Sequence, residues 1–326
     1  MQPQSRIYVA GHRGLAGSAI TRALKGKGYG NLLLRPRAEL DLTDRGAVRA
    51  FFERERPEYV FLAAARAGGI LANKSFPAEF IYQNLAIQTN VIDEARRSSV
   101  TRLLFLGASC IYPRDCPQPM RESHLLTGAL EFTNHPYAVA KIAGIEMCWS
   151  YNRQYATRFL TAVPNNLYGP GDNYDLESGH VAAALIRRFH EAKVGGAKSV
   201  TLWGSGTPRR EMLNSDDMAE ACVALMELPD AKFDKLVASD PASPQPPLIN
   251  MGWGEDYTIK EFADRVRSVV GFRGDIQWDT TKPDGTPRKL LDISRMKALG
   301  WSPRISLEDG LHDAYHDFLS RSERVT

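Results

Sequence analysis

The stretch IYVAGHRGLAGSAI, residues 7–20, joins an apolar segment to an amphipathic one through three glycines. The apolar part predicts a buried strand, and the amphipathic part predicts a helix that ends at a later glycine. Gly11, Gly14 and Gly17 lie between them at GxxGxxG spacing. A glycine loop alone often only turns a corner, but here it opens the first helix and permits close approach of a pyrophosphate. The stretch therefore predicts a dinucleotide-binding loop.

Alternation of apolar strands and amphipathic helices continues from this loop to residue 168. Further strands are predicted at residues 31–37, 59–65, 102–109 and 159–169. Further helices are predicted at residues 44–57, 80–99 and 136–155. Strands that are apolar on both faces are typical of a parallel sheet covered by helices on both sides. The pattern predicts an α/β fold with a Rossmann-type doubly wound parallel sheet.

The composition changes after Tyr168, which predicts a second, smaller α/β domain. Glycine, aspartate and asparagine cluster in GPGDNYDLESG, and the proline-rich stretch at 236–249 predicts a surface loop or insertion. We expect a cofactor domain and a substrate domain that are interleaved along the chain. The cofactor domain would comprise residues 1–167 plus about 216–249, and the substrate domain residues 168–215 plus about 250–326.

Composition excludes several classes of protein. The 326 residues contain no apolar run of about 18, so no membrane contact is expected. A net charge of +3 with interspersed charges suits a small anionic ligand better than a nucleic acid. The N-terminus enters a predicted strand almost at once, so we expect no signal peptide and a cytoplasmic location. The four cysteines form no CxxC pair, so neither a metal site nor a disulfide framework is favoured.

The end of the second predicted strand indicates which dinucleotide binds. An NAD site usually places an acid there for the ribose hydroxyls, but this strand ends with Arg35 and Arg37. Arg13 lies in the glycine loop itself, and Asp41 is expected near the adenine. Cations at this position match a 2′-phosphate, which favours NADP(H). The alternative is that these arginines form a solvated edge.

Tyr137 and Lys141 form a YxxxK pair near the start of a predicted helix. A four-residue step places both on one face of the helix. A cation beside a phenol favours the phenolate and lowers the phenol pKa, so Tyr137 can exchange a proton with a carbinol during hydride transfer. The pair is common by chance, and its value comes from the dinucleotide loop that precedes it.

The stretch LLFLGASCIYP, residues 103–113, places a hydroxyl and a thiol at the end of a predicted strand. Together with the glycine loop and the YxxxK pair, it resembles the extended short-chain dehydrogenase/reductases, and in particular those that act on GDP-sugars. The resemblance extends from residue 6 to about residue 315. Its motifs are GHRGLAGSAI, FIYQN, SCIYP, PYAVAKIAGI, NLYGPGDN, WGSGTPRRE and KPDGTPRKLLD.

The resemblance implies one site with two activities on GDP-4-keto-6-deoxy-D-mannose. C3 and C5 would be epimerised, and the C4 ketone would then be reduced by NADPH. By analogy Cys110 is the base and His180 the acid of the epimerisation, while Tyr137 and Lys141 serve the reduction. Taken separately, Cys110 is better interpreted as a small buried residue, and His180 as a surface residue at a helix start. Together with Tyr137 they favour the catalytic interpretation.

The resemblance also implies the binding residues. The cofactor would contact Gly11, His12, Arg13, Gly14, Leu15, Ala16, Gly17, Arg35, Arg37, Asp41, Leu106, Gly107, Ala108, Lys141, Pro164, Asn165, Asn166, Leu167 and His180. The GDP moiety would contact Arg188, Trp203, Arg210 and Asp284. Arginine suits a pyrophosphate because its fork binds two oxygens at once. Trp203 is equally consistent with an ordinary core residue.

Ala108 departs from the family pattern. These reductases normally have serine or threonine there, which donates to the substrate carbonyl beside the tyrosine. Neighbours on a strand point to opposite faces, so Ser109 should not replace that donor without a local twist. Loss of one donor to a developing oxyanion costs on the order of 10²–10³ in rate. Three explanations are open: the enzyme turns over slowly, water or Ser109 supplies the missing donor, or the residue at 108 was altered to trap a complex. Ser109 remains an uncertain catalytic candidate.

Other enzymes and a different class of protein are the alternatives. A nucleotide-sugar 4,6-dehydratase needs an Asp–Glu pair where Ser109 and Cys110 stand. A 4-epimerase has no use for Cys110 and His180. A non-catalytic NADP-binding scaffold would suit Ala108 but not the intact YxxxK pair. By resemblance, we also expect a homodimer formed through helices at 77–98 and 136–155.

Overall fold

The structure is a computed structural model that describes residues 1–176, 179–238, 245–282 and 284–322. Its strands are β1 (Ile7–Ala10), β2 (Leu32–Leu33), β3 (Tyr59–Leu62), β4 (Arg102–Leu106), β5 (Phe159–Pro164), β6 (Asn166–Tyr168), β7 (Ser199–Trp203), β8 (Arg209–Arg210), β9 (Met212–Asn214), β10 (Leu248–Met251), β11 (Tyr257–Thr258), β12 (Asp275–Asp279) and β13 (Arg288–Lys289). Its α-helices are α1 (Leu15–Gly26), α2 (Arg45–Glu55), α3 (Ile70–Ser75), α4 (Pro77–Arg97), α5 (His135–Tyr155), α6 (Val181–Val194), α7 (Ser215–Glu227), α8 (Asp230–Val237), α9 (Ile259–Val270), α10 (Ser294–Ala298) and α11 (Leu307–Ser322).

A six-stranded parallel sheet forms the larger part of the molecule. Its strand order is β10-β5-β4-β3-β1-β2, and every neighbouring pair is parallel. The order runs outward in both directions from β1 and β3, so the carboxyl ends of these strands flank the crevice where such sheets bind ligands. The predicted Rossmann-type doubly wound sheet is confirmed.

Helices cover both faces of this sheet, as the apolar strands predicted. On one face α1 packs against α7, and their core includes Ile20 and Met226. On the other face α4 packs against α5 and α2, around a core that includes Phe52 and Ile145. Side chains on both faces are fully buried, which explains why the strand sequences lack a polar face.

The smaller part of the molecule is built from α6, α9 and α11 with a two-stranded parallel sheet of β7 and β12. Phe189 and Phe262 lie in its separate core. Two further small sheets connect it to the larger part, one with order β11-β8-β13 and one of β6 with β9. These short strands bring the C-terminal segment to the carboxyl edge of the main sheet.

Four strand predictions need correction. The strand predicted over 31–37 comprises only Leu32–Leu33, and the strand predicted over 59–65 ends at Leu62. The strand predicted over 102–109 ends at Leu106, and Ser109–Ile111 forms a 3-10 helix instead. The strand predicted over 159–169 divides into β5 and β6, because the chain leaves the main sheet after Pro164 and pairs with β9. Within the described part of the chain, no helix is long and apolar enough to cross a membrane.

The proposed domain boundaries stay a prediction. The segment around 216–249 does lead into the main sheet, since β10 is its edge strand next to β5. Part of the predicted proline-rich loop lies outside the described residues, as do two residues of GPGDNYDLESG and the proline of KPDG.

Candidate active site

The glycine loop has the shape of a phosphate cradle. Gly11 has a φ of +84°, and a Cβ there would lie 2.7 Å from the backbone of Ala64. A Cβ on Gly17 would collide with the Gly11 carbonyl, whereas one on Gly14 would meet only that oxygen at 3.6 Å. Gly14 is also the N-cap of α1 and has no side chain to cap the helix. The first N–H groups of α1 are therefore left for an anion.

His12 adds an unsatisfied group to the loop. Its Nδ1 is buried without a hydrogen-bond partner in the described protein. Burial, assisted by Arg13, lowers the pKa of His12, so the ring favours its neutral form. A tight backbone cradle and an orphaned ring nitrogen both fit a bound dinucleotide phosphate.

The three arginines predicted to bind a 2′-phosphate differ in availability. Arg35 forms an ion pair with Glu55 at 3.0 Å and donates to the Leu34 carbonyl at 3.0 Å. Arg37 is 72% exposed in its side chain and only approaches Asp41, at 3.5 Å. Arg13 is exposed. The geometry thus leaves Arg13 and Arg37 as the open guanidinium groups, while Arg35 joins the end of β2 to α2.

Asp41 is fixed by its own turn. Its carboxylate accepts the backbone N–H of Thr43 at 2.9 Å and the Thr43 hydroxyl at 2.7 Å. These hydrogen bonds, led by the backbone one, lower the pKa of Asp41. Its proposed position near the adenine stays a prediction.

Tyr137 and Lys141 lie on the first two turns of α5. Lys141 is 2% exposed and donates to the Leu106 carbonyl at 2.7 Å, at the end of β4. Its ammonium is 5.7 Å from the centre of the Tyr137 ring. The close approach depends on Gly144, where a Cβ would lie 2.6 Å from the Phe105 ring. The helix and strand thereby bring the pair to the carboxyl edge of the sheet.

Burial controls the pKa of both members of this pair. It lowers the pKa of Lys141 to about 8, opposed by the Cys110 thiol, which raises it. It raises the pKa of Tyr137, and Cys110 raises it further. The expected lowering of the Tyr137 pKa is therefore wrong for this structure. The Lys141 ammonium is bonded to a backbone carbonyl, and its field does not offset the loss of solvent around the phenol.

Ser109 lines the same pocket as Cys110, but its hydroxyl proton is committed within the protein. Its hydroxyl donates to Oδ1 of Asn165 at 3.0 Å, and the residue is 7% exposed. Ala108 is extended, with φ of −160°, and is only partly buried. The 3-10 turn, rather than strand alternation, sets these directions. The catalytic role of Ser109 as a substitute donor stays a prediction, and in this geometry its single proton is donated to Asn165.

Cys110 lies in the same 3-10 turn and is 7% exposed. Burial raises the pKa of its thiol, while Lys289 and then Lys141 lower it. Cys110 and Lys289 also line one pocket, together with Glu131. The thiol thus lies between the reductase pair and a second cation.

The sequence analysis missed Lys289. Lys289 is paired in register with Arg210, because β13 lies parallel to β8. The signal was present as a repeated tetrapeptide, GTPR, which precedes Arg210 at 206–209 and Lys289 at 285–288. Neither copy alone indicates that the two strands pair.

Asp256 forms ion pairs with one basic residue of each of these two strands. Its carboxylate accepts from Arg209 at 2.8 Å and from Arg288 at 2.5 Å. Burial lowers the pKa of Lys289 and of Arg210. The Asp284 and Glu131 carboxylates act in the opposite direction on the pKa of Arg210. Alternation along the strands therefore directs one basic residue of each to Asp256 and the other to the cleft.

The remaining predicted residues belong to α6 and its surroundings. His180 is the N-cap of α6, and the surrounding protein lowers its pKa by desolvation although more than a third of its surface stays accessible. The Arg188 guanidinium is 6.0 Å from the Trp203 ring centre, and Trp203 is 58% exposed. Trp203 is therefore not a core residue. No hydrogen bond joins His180 to Cys110 in the described chain.

Asp284 has a local structural role. It accepts from the backbone N–H of Ser205 at 2.9 Å and from the Ser205 hydroxyl at 2.7 Å. These bonds fix the turn that follows Trp203. Asn134, just before α5, was not predicted, and its Oδ1 is buried without a partner in the described chain.

A glycine cradle after the first strand of a parallel sheet, with a Tyr–Lys pair at the carboxyl edge, defines a nucleotide-cofactor enzyme of the short-chain dehydrogenase/reductase type. The NAD dependent epimerase/dehydratase family matches residues 7–237. The chain belongs to this family.

Individual relatives cover nearly the whole chain. An Arabidopsis thaliana protein described as "Putative GDP-L-fucose synthase 2" is 53% identical over 98% of this chain and 93% of its own. The "GDP-L-fucose synthase" of Escherichia coli K12 is 51% identical over 98% of both chains. A solved Campylobacter jejuni "GDP-D-glycero-L-gluco-heptose synthase", in the presence of NADPH, is 39% identical with a TM-score of 0.90, covering 98% of this chain and 99% of its own.

These findings confirm the predicted family and fold class and an enzyme of the oxidoreductase and epimerase type. They also support the predicted NADP(H) cofactor. They do not test the individual site residues.

Proposed function

We propose that this enzyme converts GDP-4-keto-6-deoxy-D-mannose into GDP-L-fucose, with NADPH as reductant. The observation that carries the proposal is the position of Cys110, which adds an acid/base thiol to a Tyr–Lys reductase pair. A simple ketone reductase needs only the pair. The names of the Arabidopsis thaliana and Escherichia coli relatives described above support the same reaction.

Epimerisation uses the acidity of the substrate. The C3 and C5 protons both flank the C4 carbonyl, so removal of either gives an enolate delocalised onto O4. Cys110 as thiolate takes the proton from one face, and His180 returns a proton to the other face. The substrate lies between the two groups, which is consistent with the absence of a hydrogen bond between them in the described chain. No electrons are gained or lost in this step.

Cations must supply the thiolate character of Cys110. Burial alone raises the thiol pKa, and the lowering influences come from Lys289 and Lys141. A thiolate is the active base, so this pair of cations is the electrostatic requirement of the epimerisation.

Reduction follows at C4 of the epimerised sugar. NADPH, when bound on the glycine loop, supplies the hydride. Tyr137 donates its proton to O4 as negative charge develops there, and Lys141 holds positive charge beneath the ring of Tyr137. A phenol of raised pKa is protonated at neutral pH and so is in the form that this direction of reaction requires.

The GDP moiety would be held from the smaller part of the molecule. Arg188 and Arg210 offer cations for the pyrophosphate, and the exposed face of Trp203 offers a platform for the base. Asp284 would act by holding the turn after Trp203.

A GDP-heptose is the second candidate substrate. The C. jejuni neighbour with a TM-score of 0.90 is described as a heptose synthase, so a different sugar on the same nucleotide is consistent with this fold. A 4,6-dehydratase remains disfavoured by Ser109 and Cys110, and a scaffold role by the Tyr–Lys pair.

The deciding experiment incubates the protein with NADPH and GDP-4-keto-6-deoxy-D-mannose in D₂O. Loss of NADPH absorbance and product carrying deuterium at C3 and C5 are expected. In Tyr137→Phe, exchange at C3 or C5 should continue without reduction, whereas Cys110→Ala and Cys110→Ser should suppress exchange. Undiminished exchange in both cysteine variants would remove Cys110 from the mechanism, and reduction without deuterium in the wild type would favour a simple reductase.

The proposed assembly is a homodimer through α4 and α5. Tyr82 on α4 is 67% exposed and Tyr155 at the end of α5 is 46% exposed, which leaves aromatic surface for a partner. The cytoplasm is the proposed compartment, and the four free cysteines are consistent with a reducing environment.

A further inference from the structure

Glu211, between β8 and β9, is a completely buried carboxylate whose partners are all N–H donors. It accepts from the Gly254 N–H at 2.6 Å, from the Leu291 N–H at 3.0 Å and from the side-chain amide of Asn165. A Cβ on Gly252 would collide with it, so the backbone is packed directly against the carboxylate.

The hydrogen-bonding role of Glu211 follows from these partners. Burial raises the pKa of Glu211, whereas the N–H donors of Gly254, Asn165 and Leu291 lower it. Each of these contacts presents a hydrogen to the carboxylate, so a proton on Glu211 would face another donor. The carboxyl oxygens of Glu211 therefore act as acceptors toward all three donors.

This acceptor role of Glu211 fixes the orientation of the Asn165 amide. Only the NH₂ end of that amide can face an acceptor, so its oxygen must face the other way. There it accepts the Ser109 hydroxyl at 3.0 Å and the Asn166 side-chain amide at 3.2 Å. The direction of the Ser109 proton is thus set by a carboxylate it does not touch.

The same carboxylate holds two parts of the candidate site in fixed relation. Through Asn165 and Ser109 it reaches the 3-10 turn that carries Cys110. Through Leu291 it holds the chain two residues after Lys289. Lys289 is the cation that lowers the pKa of the Cys110 thiol most. Cys110 and Lys289 are about 180 residues apart in the sequence. Glu211 is linked to the segment around each of them, through Asn165 on one side and Leu291 on the other.

We propose that Glu211 is a positioning residue for the epimerisation, which aligns Cys110 with Lys289 through Asn165 and Ser109. The proposal rests on the function proposed above. Glu211 contacts neither sugar nor cofactor in this scheme, and C4 reduction by Tyr137 does not depend on it. Its loss should therefore change the choice between epimerisation and direct reduction, rather than only the overall rate.

The test measures that choice in D₂O with the full-length protein, NADPH and GDP-4-keto-6-deoxy-D-mannose. Mass spectrometry gives the ratio of reduced product with deuterium at C3 and C5 to reduced product without it. This ratio does not depend on how much protein is folded. Glu211→Gln should lower it about tenfold or more, since a displacement of about 1 Å at a reacting group costs up to about 100-fold.

Ser109→Ala is the second variant, because Glu211→Gln introduces an NH₂ among donors and can fail to fold. It removes one hydroxyl, leaves Asn166 on the Asn165 oxygen, and should lower the ratio in the same direction. The double variant should be no worse than Glu211→Gln alone if both act through Asn165.

Asp217→Asn is the matched control. Asp217 is 4% exposed and likewise accepts backbone N–H groups, from Arg304 at 3.0 Å and Ile305 at 2.9 Å, but it bonds to no residue of the candidate site. It should lower stability and leave the ratio unchanged. An unchanged ratio in both Ser109→Ala and folded Glu211→Gln would overturn the positioning role alone. Wild-type product without deuterium would overturn the proposed function as well.

Discussion

Ala108 lacks the hydroxyl group that the resemblance leads us to expect at this position of the site. By the resemblance described above, its methyl group stands where related reductases carry a hydroxyl, and the neighbouring Ser109 hydroxyl donates to Asn165. In the proposed reaction, Tyr137 is then the side-chain donor to O4. A donor that strengthens as charge develops affects turnover more than substrate binding.

Ala108→Ser should therefore raise kcat by roughly 10- to 1000-fold with a modest change in KM. Steady-state kinetics with saturating NADPH measure the effect, and circular dichroism checks the fold. Because Ala108 is only partly buried, one added oxygen should be accommodated. A folded serine variant that turns over no faster would mean that another group already donates to O4.

Lys141 gives a pH prediction for stability. Its pKa is 10.5 in an ordinary environment and about 8 in the fold. Below pH 8 the ammonium is charged in both states, and its burial opposes folding. Between pH 8 and 10.5 the unfolded chain keeps the proton that the folded chain has lost, so the free energy of unfolding rises with pH.

Lys141→Met removes this dependence while the other groups still titrate. Urea denaturation of both proteins in steps from pH 8 to 10.5 should show the wild type gaining stability relative to the variant. Parallel curves across this range would mean that Lys141 keeps an ordinary pKa in the folded protein.

At the scale of elements, the two arginines in the connection from β2 to α2 have different roles. Arg35 is bonded to Glu55, whereas Arg37 is largely exposed. Arg37→Ala should raise the KM for NADPH by about 10- to 100-fold and leave the KM for NADH nearly unchanged, because a phosphate hydrogen bond from arginine is lost.

Arg35→Ala is the comparison for this prediction. Loss of its ion pair should affect the melting temperature more than the preference between NADPH and NADH. If Arg37→Ala weakens both cofactors equally, the 2′-phosphate lies elsewhere.

The main sheet and its covering helices follow from local sequence pattern, because each long strand and helix carries its own periodicity. The glycine loop and the Tyr–Lys pair were predictable for the same reason, since both lie within one short segment. The two-residue strands β8 and β13 carry no such periodicity, and their pairing joins residues about 80 apart. Lys289 therefore needed the structure.

The directions and surroundings of individual side chains were also not predictable from the sequence pattern. The extension of β4 to Ser109 was wrong because Gly107 and Ala108 end the strand before a 3-10 turn. The pKa of Tyr137 was predicted from a charge nearby, whereas burial dominates it. Both depend on tertiary surroundings that the sequence pattern does not contain.

At the scale of the whole molecule, the surface of α4 and α5 provides the proposed contact between two copies. Tyr82→Glu places a charge on this surface and should weaken dimerisation by at least about tenfold, measured by sedimentation at several concentrations. Val194→Glu is a matched control, since Val194 is 73% exposed but lies at the end of α6. A protein that is monomeric before either change would exclude this interface.

Trp203 also gives the molecule an optical property. It is 58% exposed, whereas the other four tryptophans are partly buried, so its indole is the one most open to a stacked base. Arg188 and Lys282 approach its ring at 6.0 and 5.7 Å. A guanine base on this ring should quench and shift the indole fluorescence when GDP alone is added, and Trp203→Phe should abolish the change. Nucleotide affinity thus becomes measurable by emission in variants that have lost all turnover.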